Sequence, residues 1–275
     1  MVRVRPVLGV AEFDTPELAP FRTMRWQQAQ RDQGIFVAEG EKVVRRLLES
    51  DLEVISLLLP SKWHTEYSDL IAKRPEPLIE VFIAEKDLLE KLTGFSFYQG
   101  VLAVGRVPAV IPVETIIAQA AHPRLMVALD SVSSAPNMGG LIRNCAAFGA
   151  SALMVGETCC SPWLRRSVRS SMGTIFKVPM IESTNLAETI QLLKNQGFSI
   201  IAAHAHTNQR SITSVDFRQD CVIVLGSEGY GISKEILALC DAEVVIPMQN
   251  GVDSLNVGTA GAIFLYEAAR QRGHA

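Results

Sequence analysis

The 275-residue chain has no run of about eighteen apolar residues, so nothing in it reads as a membrane span. Its start, MVRVRPVLGVAEFDTPELAP, shows no continuous apolar core followed by a small-residue cleavage site, which leads us to expect a cytoplasmic protein. Cysteine is scarce. The five residues Cys145, Cys159, Cys160, Cys221 and Cys240 are odd in number and show no C-x-x-C spacing, so they suggest neither a disulfide framework nor a zinc site and read as small buried hydrophobes. His204 and His206 alternate near a strand end without a third ligand at suitable spacing, and we read them as loop histidines with no metal. Positive charge is not in excess either: 26 Lys+Arg stand against 29 Asp+Glu, for a net charge of −3. Bulk electrostatic binding of nucleic acid is thereby disfavoured, and any such surface must be local. The local basic groups are Arg22, Arg25 and Arg31 near the start, and Arg165, Arg166, Arg169 and Lys177 in the middle. Neither the Rossmann G-x-G-x-x-G order after a strand nor a P-loop occurs, which weakens nicotinamide and ATP chemistry.

What the chain has is apolar content, 48% of its residues, enough for a sizeable core, and length enough for two domains. After an irregular lead, a helix is expected over 21–33. Strands follow at 35–40, 54–59, 79–83 and 100–107, with helices at 41–50, 63–73 and 85–92. This small αβ unit, residues 1–107, ends at Pro108. The stretch 108–121, with Pro108 and Pro112 at its start, Pro123 just beyond it and a short apolar helix between, reads as a linker. From 122 to 275 strands and helices alternate: strands at 125–130, 152–155, 176–180, 199–203, 221–225 and 244–248, helices at 139–148, 162–172, 186–196, 233–239 and from about 254. Such alternation predicts an α/β fold with an open, mainly parallel sheet covered on both faces.

Ligands of open α/β sheets bind at the carboxyl ends of strands, so the loops after Asp130, Leu225 and Met248 are the places to look. The first carries Asn137, suited to cap a helix, and Arg143, one turn beyond Gly139 and Gly140 on a bare helix face. The second is Gly226-Ser227-Glu228-Gly229-Tyr230-Gly231, whose glycines permit close approach of a ligand, with Ser233 to cap the next helix. The third is Gln249 to Asn256, with the turn pair Asn250-Gly251 and Asp253 or Ser254 as the expected cap. Small residues crowd the helix after it, from Gly258 to Ala262, as they would where something packs close to the backbone.

These three loops resemble, in order, the three signature motifs of the SpoU (TrmH-like) family of RNA ribose methyltransferases. Asn137, Gly139, Arg143 and Ala147-Phe148-Gly149 match the first, although Ala135-Pro136 stands where many members have Asp-Pro. Glu228 in G-x-E-x-x-G matches the second, and Ser254-Leu255-Asn256-Val257 the third. Arg166-Ser167 with Ser170 to Gly173 is a weaker match to a stretch that in the family faces the active site and the partner subunit. Upstream, Glu39-Gly40 and Gln99-Gly100-Val101-Leu102-Ala103 resemble the ribosomal L30e-like domain that many members use to hold RNA. The resemblance implies a SPOUT methyltransferase domain with a C-terminal trefoil knot, a homodimer, and S-adenosylmethionine as cofactor. The implied reaction is transfer of a methyl group to a ribose 2′-hydroxyl of ribosomal or transfer RNA, ribosomal RNA being favoured. It also implies a catalytic set of Arg143, Asn137, Glu228, Ser254 and Asn256, and a cofactor bed at Leu225, Gly226, Ile246, Met248 and Leu255. Arg22, Arg25, Arg165, Arg166 and Arg169 are the expected RNA contacts. The rival expectation is a catalytically silent RNA-binding or ribosome-assembly factor of the same fold.

Overall fold

The computed structural model describes residues 1–24, 26–94, 100–205 and 210–274. Arg25, Gln99 and His206 lie outside them. Packing divides the chain into two compact units: Met1–Ala109 with Trp163–Phe176, and Val110–Pro162 with Lys177–Ala275. The segment 163–176, which the sequence places among the elements of the C-terminal half, packs with the first unit.

The first unit is built on a five-stranded mixed sheet of β1 (Val2–Pro6), β2 (Ile35–Glu39), β3 (Val54–Leu59), β4 (Ile79–Ile83) and β5 (Leu102–Arg106), in the order β1-β4-β3-β5-β2. The strands other than β1 are largely apolar runs with every or nearly every residue buried, as a sheet covered on both faces demands. β1 was expected to be irregular. Its alternating V-R-V-R-P pattern is that of an exposed edge strand, with Arg3 and Arg5 ion-paired to Glu80 on the adjoining β4. The helix expected over 21–33 is two short pieces, α1 (Ala19–Arg22) and α2 (Gln27–Asp32). The remaining helices are α3 (Glu41–Leu48), α4 (Ser61–Ala72) and α5 (Lys86–Thr93). Phe21, Val37, Leu58, Phe82, Leu102 and Val104 centre one core.

The second unit carries α6 (Val113–Gln119), β6 (Leu125–Leu129), α7 (Ala135–Ala147) and β7 (Ala152–Val155). In chain order after these comes α8 (Arg165–Ser170), which belongs to the first unit, where it packs on β2. The second unit then resumes with β8 (Met180–Glu182), α9 (Leu186–Asn195), β9 (Ser199–Ala203), β10 (Arg210–Ser211), β11 (Cys221–Leu225), α10 (Lys234–Leu239), β12 (Ala242–Val245) and α11 (Val257–Gln271). The seven strands pair in the order β10-β12-β9-β11-β6-β7-β8, and every pairing is parallel. Met126, Ala128, Val222 and Val224 alternate onto one face beneath Ile117, Leu186, Ile190 and Ile236. On the helical layer α7 packs against α11. Their approach depends on Gly261, where a Cβ would lie 2.5 Å from a methyl of Leu141.

Two boundary expectations are corrected here. The strand expected over 176–180 is β8, at 180–182, preceded by a short 3-10 turn at Thr174–Phe176. The last strand ends at Val245 rather than at Met248, because Pro247 has no N–H to offer a neighbour. Ile246 and Met248 are therefore released from the sheet into the loop. β12 itself is not an edge strand: it lies between β9 and β10.

Candidate active site

The carboxyl ends of β6, β11 and β12 meet at one place. Asp130, buried at the end of β6, accepts hydrogen bonds from the Ser233 N–H at 2.7 Å and the Ser131 hydroxyl at 3.0 Å, tying the first loop to the second. Val132 N–H in turn donates to Cys159 Sγ, which donates to the carbonyl of Leu129, both at 3.3 Å. Burial pushes the Cys160 thiol up to about 11 and raises Cys159 as well, so both stay protonated at neutral pH and offer no nucleophile. Of the five cysteines only Cys145 and Cys221 are fully buried; the other three are half-buried, and all are free thiols.

Helix α7 begins earlier than expected. Its cap is Ser134, whose hydroxyl accepts from the Asn137 N–H, and Pro136 sits in the first turn, where its missing N–H costs nothing. Asn137 is thereby freed from capping and points its amide outward. Its Nδ2 donates to Glu228 Oε1, and its Oδ1 accepts from Asn256 Nδ2 at 3.1 Å. Asn256, not Asp253 or Ser254, caps α11: its Oδ1 takes the N–H groups of Gly258 at 2.9 Å and Thr259 at 3.3 Å. Glu228, Asn137 and Asn256 thus form one directed hydrogen-bond chain drawn from all three loops. The Asn144 amide adds a second tie from α7 to α11, donating to the Gly258 carbonyl at 2.8 Å.

The Gly226 loop is closed on itself. Ser227 and Gly231 exchange two backbone hydrogen bonds of 3.0 Å, and the Tyr230 N–H donates to the Ser227 hydroxyl. Gly226 is required by close approach, since a Cβ there would lie 2.2 Å from the Gly231 carbonyl carbon, whereas Gly231 is required by its φ of +69°. Ser233 caps α10 as expected.

Beside the chain lies a cavity of about 280 Å³. The structure brings Leu225, Gly226, Ile246, Met248 and Leu255 together along its wall, with Ser254 and Glu228 on the same wall. Val257 and Phe264 add apolar surface from α11. His204 also lines it, and the sequence reading missed this. Its backbone N–H extends the β9–β12 ladder to Val244, and its Nδ1 lies 2.8 Å from Glu243 Oε2. The only sequence signal was its place one residue beyond an apolar strand.

Arg143 is exposed on α7 and has no ion pair among the described residues. The other arginines are placed differently. Arg165 and Arg169 both pair with Glu39, whose side chain is 6% exposed, Arg169 at 2.5 Å. Nearby in the same unit Phe36 stacks with Trp163 and Phe176, the centroids 5.1 and 5.6 Å apart. Arg166 is exposed, and Arg22 pairs with Asp14 at 2.6 Å.

The cavity suits a nucleoside cofactor such as S-adenosylmethionine: apolar side chains can sandwich a flat ring, and the loop backbone supplies hydrogen-bonding groups. Among the described residues no helix is long and apolar enough to cross a membrane. The profile of the SpoU rRNA Methylase family matches residues 124–266. An uncharacterized tRNA/rRNA methyltransferase of Mycobacterium tuberculosis is 33% identical over 98% of this chain and 93% of its own. The 23S rRNA (guanosine-2′-O-)-methyltransferase RlmB of Acinetobacter baylyi is also 33% identical, over 85% of this chain and 96% of its own. Among solved structures, the SpoU methyltransferase AviRb of Streptomyces viridochromogenes in complex with AdoMet superposes with a TM-score of 0.78 at 27% identity, covering 92% of this chain and 98% of that one. The fold is that of the SPOUT methyltransferases, in which the C-terminal segment is knotted. With the family profile spanning just over half of the chain and whole-length relatives on both sides of it, the chain belongs to the SpoU family of S-adenosylmethionine-dependent RNA methyltransferases.

Proposed function

We propose that the protein methylates a ribose 2′-hydroxyl of structured RNA, ribosomal RNA in preference to transfer RNA, and that it does so as a cytoplasmic homodimer. The observation that carries this reading is the hydrogen-bond chain Glu228–Asn137–Asn256 standing beside the cavity. When bound, the cofactor supplies an electrophilic methyl group on a sulfonium. Leu225, Gly226, Ile246, Met248 and Leu255 would hold it. A ribose hydroxyl is scarcely ionised at neutral pH, so the protein must stabilise the negative charge that grows on the attacking oxygen. Arg143 fits that task as a fixed cation whose charge is not spent on a carboxylate. A guanidinium stays protonated in proteins, so it acts as an electrostatic stabiliser or phosphate grip and not as a base. Glu228 fixes the amide of Asn137, and Asn256 with Ser254 holds the third loop against it. The favoured RNA follows from the A. baylyi relative, which is named for 23S rRNA. Arg165, Arg166 and Arg169, with Arg22 and Arg25, are the proposed RNA contacts.

The dimer reading draws on α7 and α11. Ala146, Ala147 and Tyr266 are exposed there, and the Tyr266 ring meets Phe148 edge-on at 6.1 Å, a small-residue and aromatic face suited to a second copy. The deciding experiment is incubation with methyl-labelled S-adenosylmethionine and separate pools of unmodified ribosomal and transfer RNA, followed by nucleoside analysis. A labelled 2′-O-methylnucleoside from the ribosomal pool is the expected outcome. Absence of both transfer and cofactor binding would favour the silent RNA-binding factor.

A further inference from the structure

Tyr230 is 98% exposed at the tip of the second loop. A ring held wholly in water gains nothing from burial, and on a loose loop it would need no explanation. This loop is not loose. The paired backbones of Ser227 and Gly231, the Ser227 hydroxyl on the Tyr230 N–H, and the tight contact that excludes a Cβ at Gly226 fix the backbone that carries the ring.

Its surroundings are specific. Tyr230 and Leu255 line the same cavity, and Leu255 is 36% exposed. Val252, 51% exposed, stands in the same third loop, beyond the Asn250-Gly251 turn, where both residues have positive φ. Tyr230 is two residues from Glu228 and Leu255 is next to Asn256, so an aromatic and aliphatic rim adjoins both ends of the polar chain. A ribose brought to that chain carries a base with it. In an A-form helix the base is stacked and paired, so neither of its faces is free to meet a side chain. In a loop or bulge the base is unstacked and its face needs a partner, which aromatic side chains supply.

We infer that Tyr230 is the stacking platform for an unpaired base at the methylation site, with Leu255 and Val252 as its apolar border. The substrate class is therefore a nucleotide in a single-stranded loop, bulge or end, not one within a continuous duplex. This rests on the reading of the protein as a ribose methyltransferase and adds to it a residue that selects the shape of the substrate.

The test uses the full-length protein and the variants Tyr230→Phe, Tyr230→Leu and Tyr230→Ala. Two probes are needed: in vitro transcribed 23S ribosomal RNA for turnover, and a fluorescein-labelled single-stranded oligoribonucleotide against its duplex for binding. Y230A and Y230L are expected to raise the KM for the transcript and the Kd for the single strand about tenfold, while duplex binding stays unchanged. Y230F is expected to stay within about twofold of the parent, since the ring and not the hydroxyl does the stacking. Tm should be the same in all four proteins, and because the ring also lines the cavity, cofactor affinity by calorimetry should fall by less than the single-strand affinity does. Y230L equal to the parent, Y230F as weak as Y230A, or an equal loss on single strand and duplex would each overturn the assignment. So would a loss of cofactor affinity in Y230A as large as its loss of single-strand affinity, which would make the ring part of the cofactor site and not a base platform. A parent protein that transfers no methyl group fails the underlying reading instead, and the binding arm then decides Tyr230 without it.

Discussion

Arg143 and the pair Arg165 and Arg169 bring the same side chain into opposite surroundings. Arg143 stands exposed with no ion pair among the described residues, whereas Arg165 and Arg169 share one buried carboxylate, Glu39. A guanidinium that has already found its carboxylate is engaged in holding structure, and only part of its charge remains for a ligand. Arg169, with 58% of its side chain exposed, keeps a free side; Arg165, at 14%, keeps little. The two sites therefore separate into one arginine available for chemistry and two that first serve to anchor a segment of the first unit.

The largest effect should come from the first of these. Arg143→Lys is expected to lower kcat by about a hundredfold or more at unchanged cofactor affinity, because a point charge cannot reproduce the planar fork at a developing oxyanion. Near-normal turnover of that variant would erase the distinction. Glu39→Gln should act on stability instead: removing one side of a buried ion pair is expected to cost about 3 kcal/mol, read as a fall in Tm. Adding Arg169→Gln to it should cost less than it does in the parent, since the partner is already gone. Next, Asn256→Ala removes the α11 cap and one end of the polar chain together. About 1 kcal/mol of stability should be lost, along with a fall in turnover that Asn256→Asp, which keeps the cap but not the amide donor, does not repair.

The smallest effect concerns acid. Burial pushes the Asp220 carboxyl up, but the Arg124 N–H and guanidinium outweigh it and hold the group below its ordinary 3.8. In the other unit Glu76 is likewise raised by burial and lowered further by Arg74 and the Val54 N–H, below its ordinary 4.5. Because both folded values are depressed, the stability they contribute is complete above about pH 5 and is lost as pH falls through the lowered values. Thermal melts between pH 6 and 3 should show this, and Asp220→Asn should flatten the curve.

Much of this arrangement could be read from the chain alone. The runs Val54–Leu59 and Cys221–Leu225 are unmistakable because each residue must suit a buried face, and the loops at the strand ends follow from their alternation. Caps were less legible. Ser134 and Asn137 are both cap-forming residues, as are Asp253, Ser254 and Asn256, and only the tertiary hydrogen bonds of Asn137 to Glu228 and of Asn256 to Asn137 show which of each set reaches another loop. β1 was hidden by its arginines, which are tolerated only because one side of an edge strand faces water. The Glu39 pairing was beyond reach, since its partners lie 126 and 130 residues away and nothing local marks them.

The interior place of β12 has a consequence for synthesis. Met248, Leu255 and Phe264 complete the cavity wall, and they follow a strand that pairs with β9 and in turn carries β10. A growing chain that has already made β6 to β11 still has neither the sheet closed nor the pocket formed. Competence to hold a nucleoside thus waits on α11 and its packing against α7.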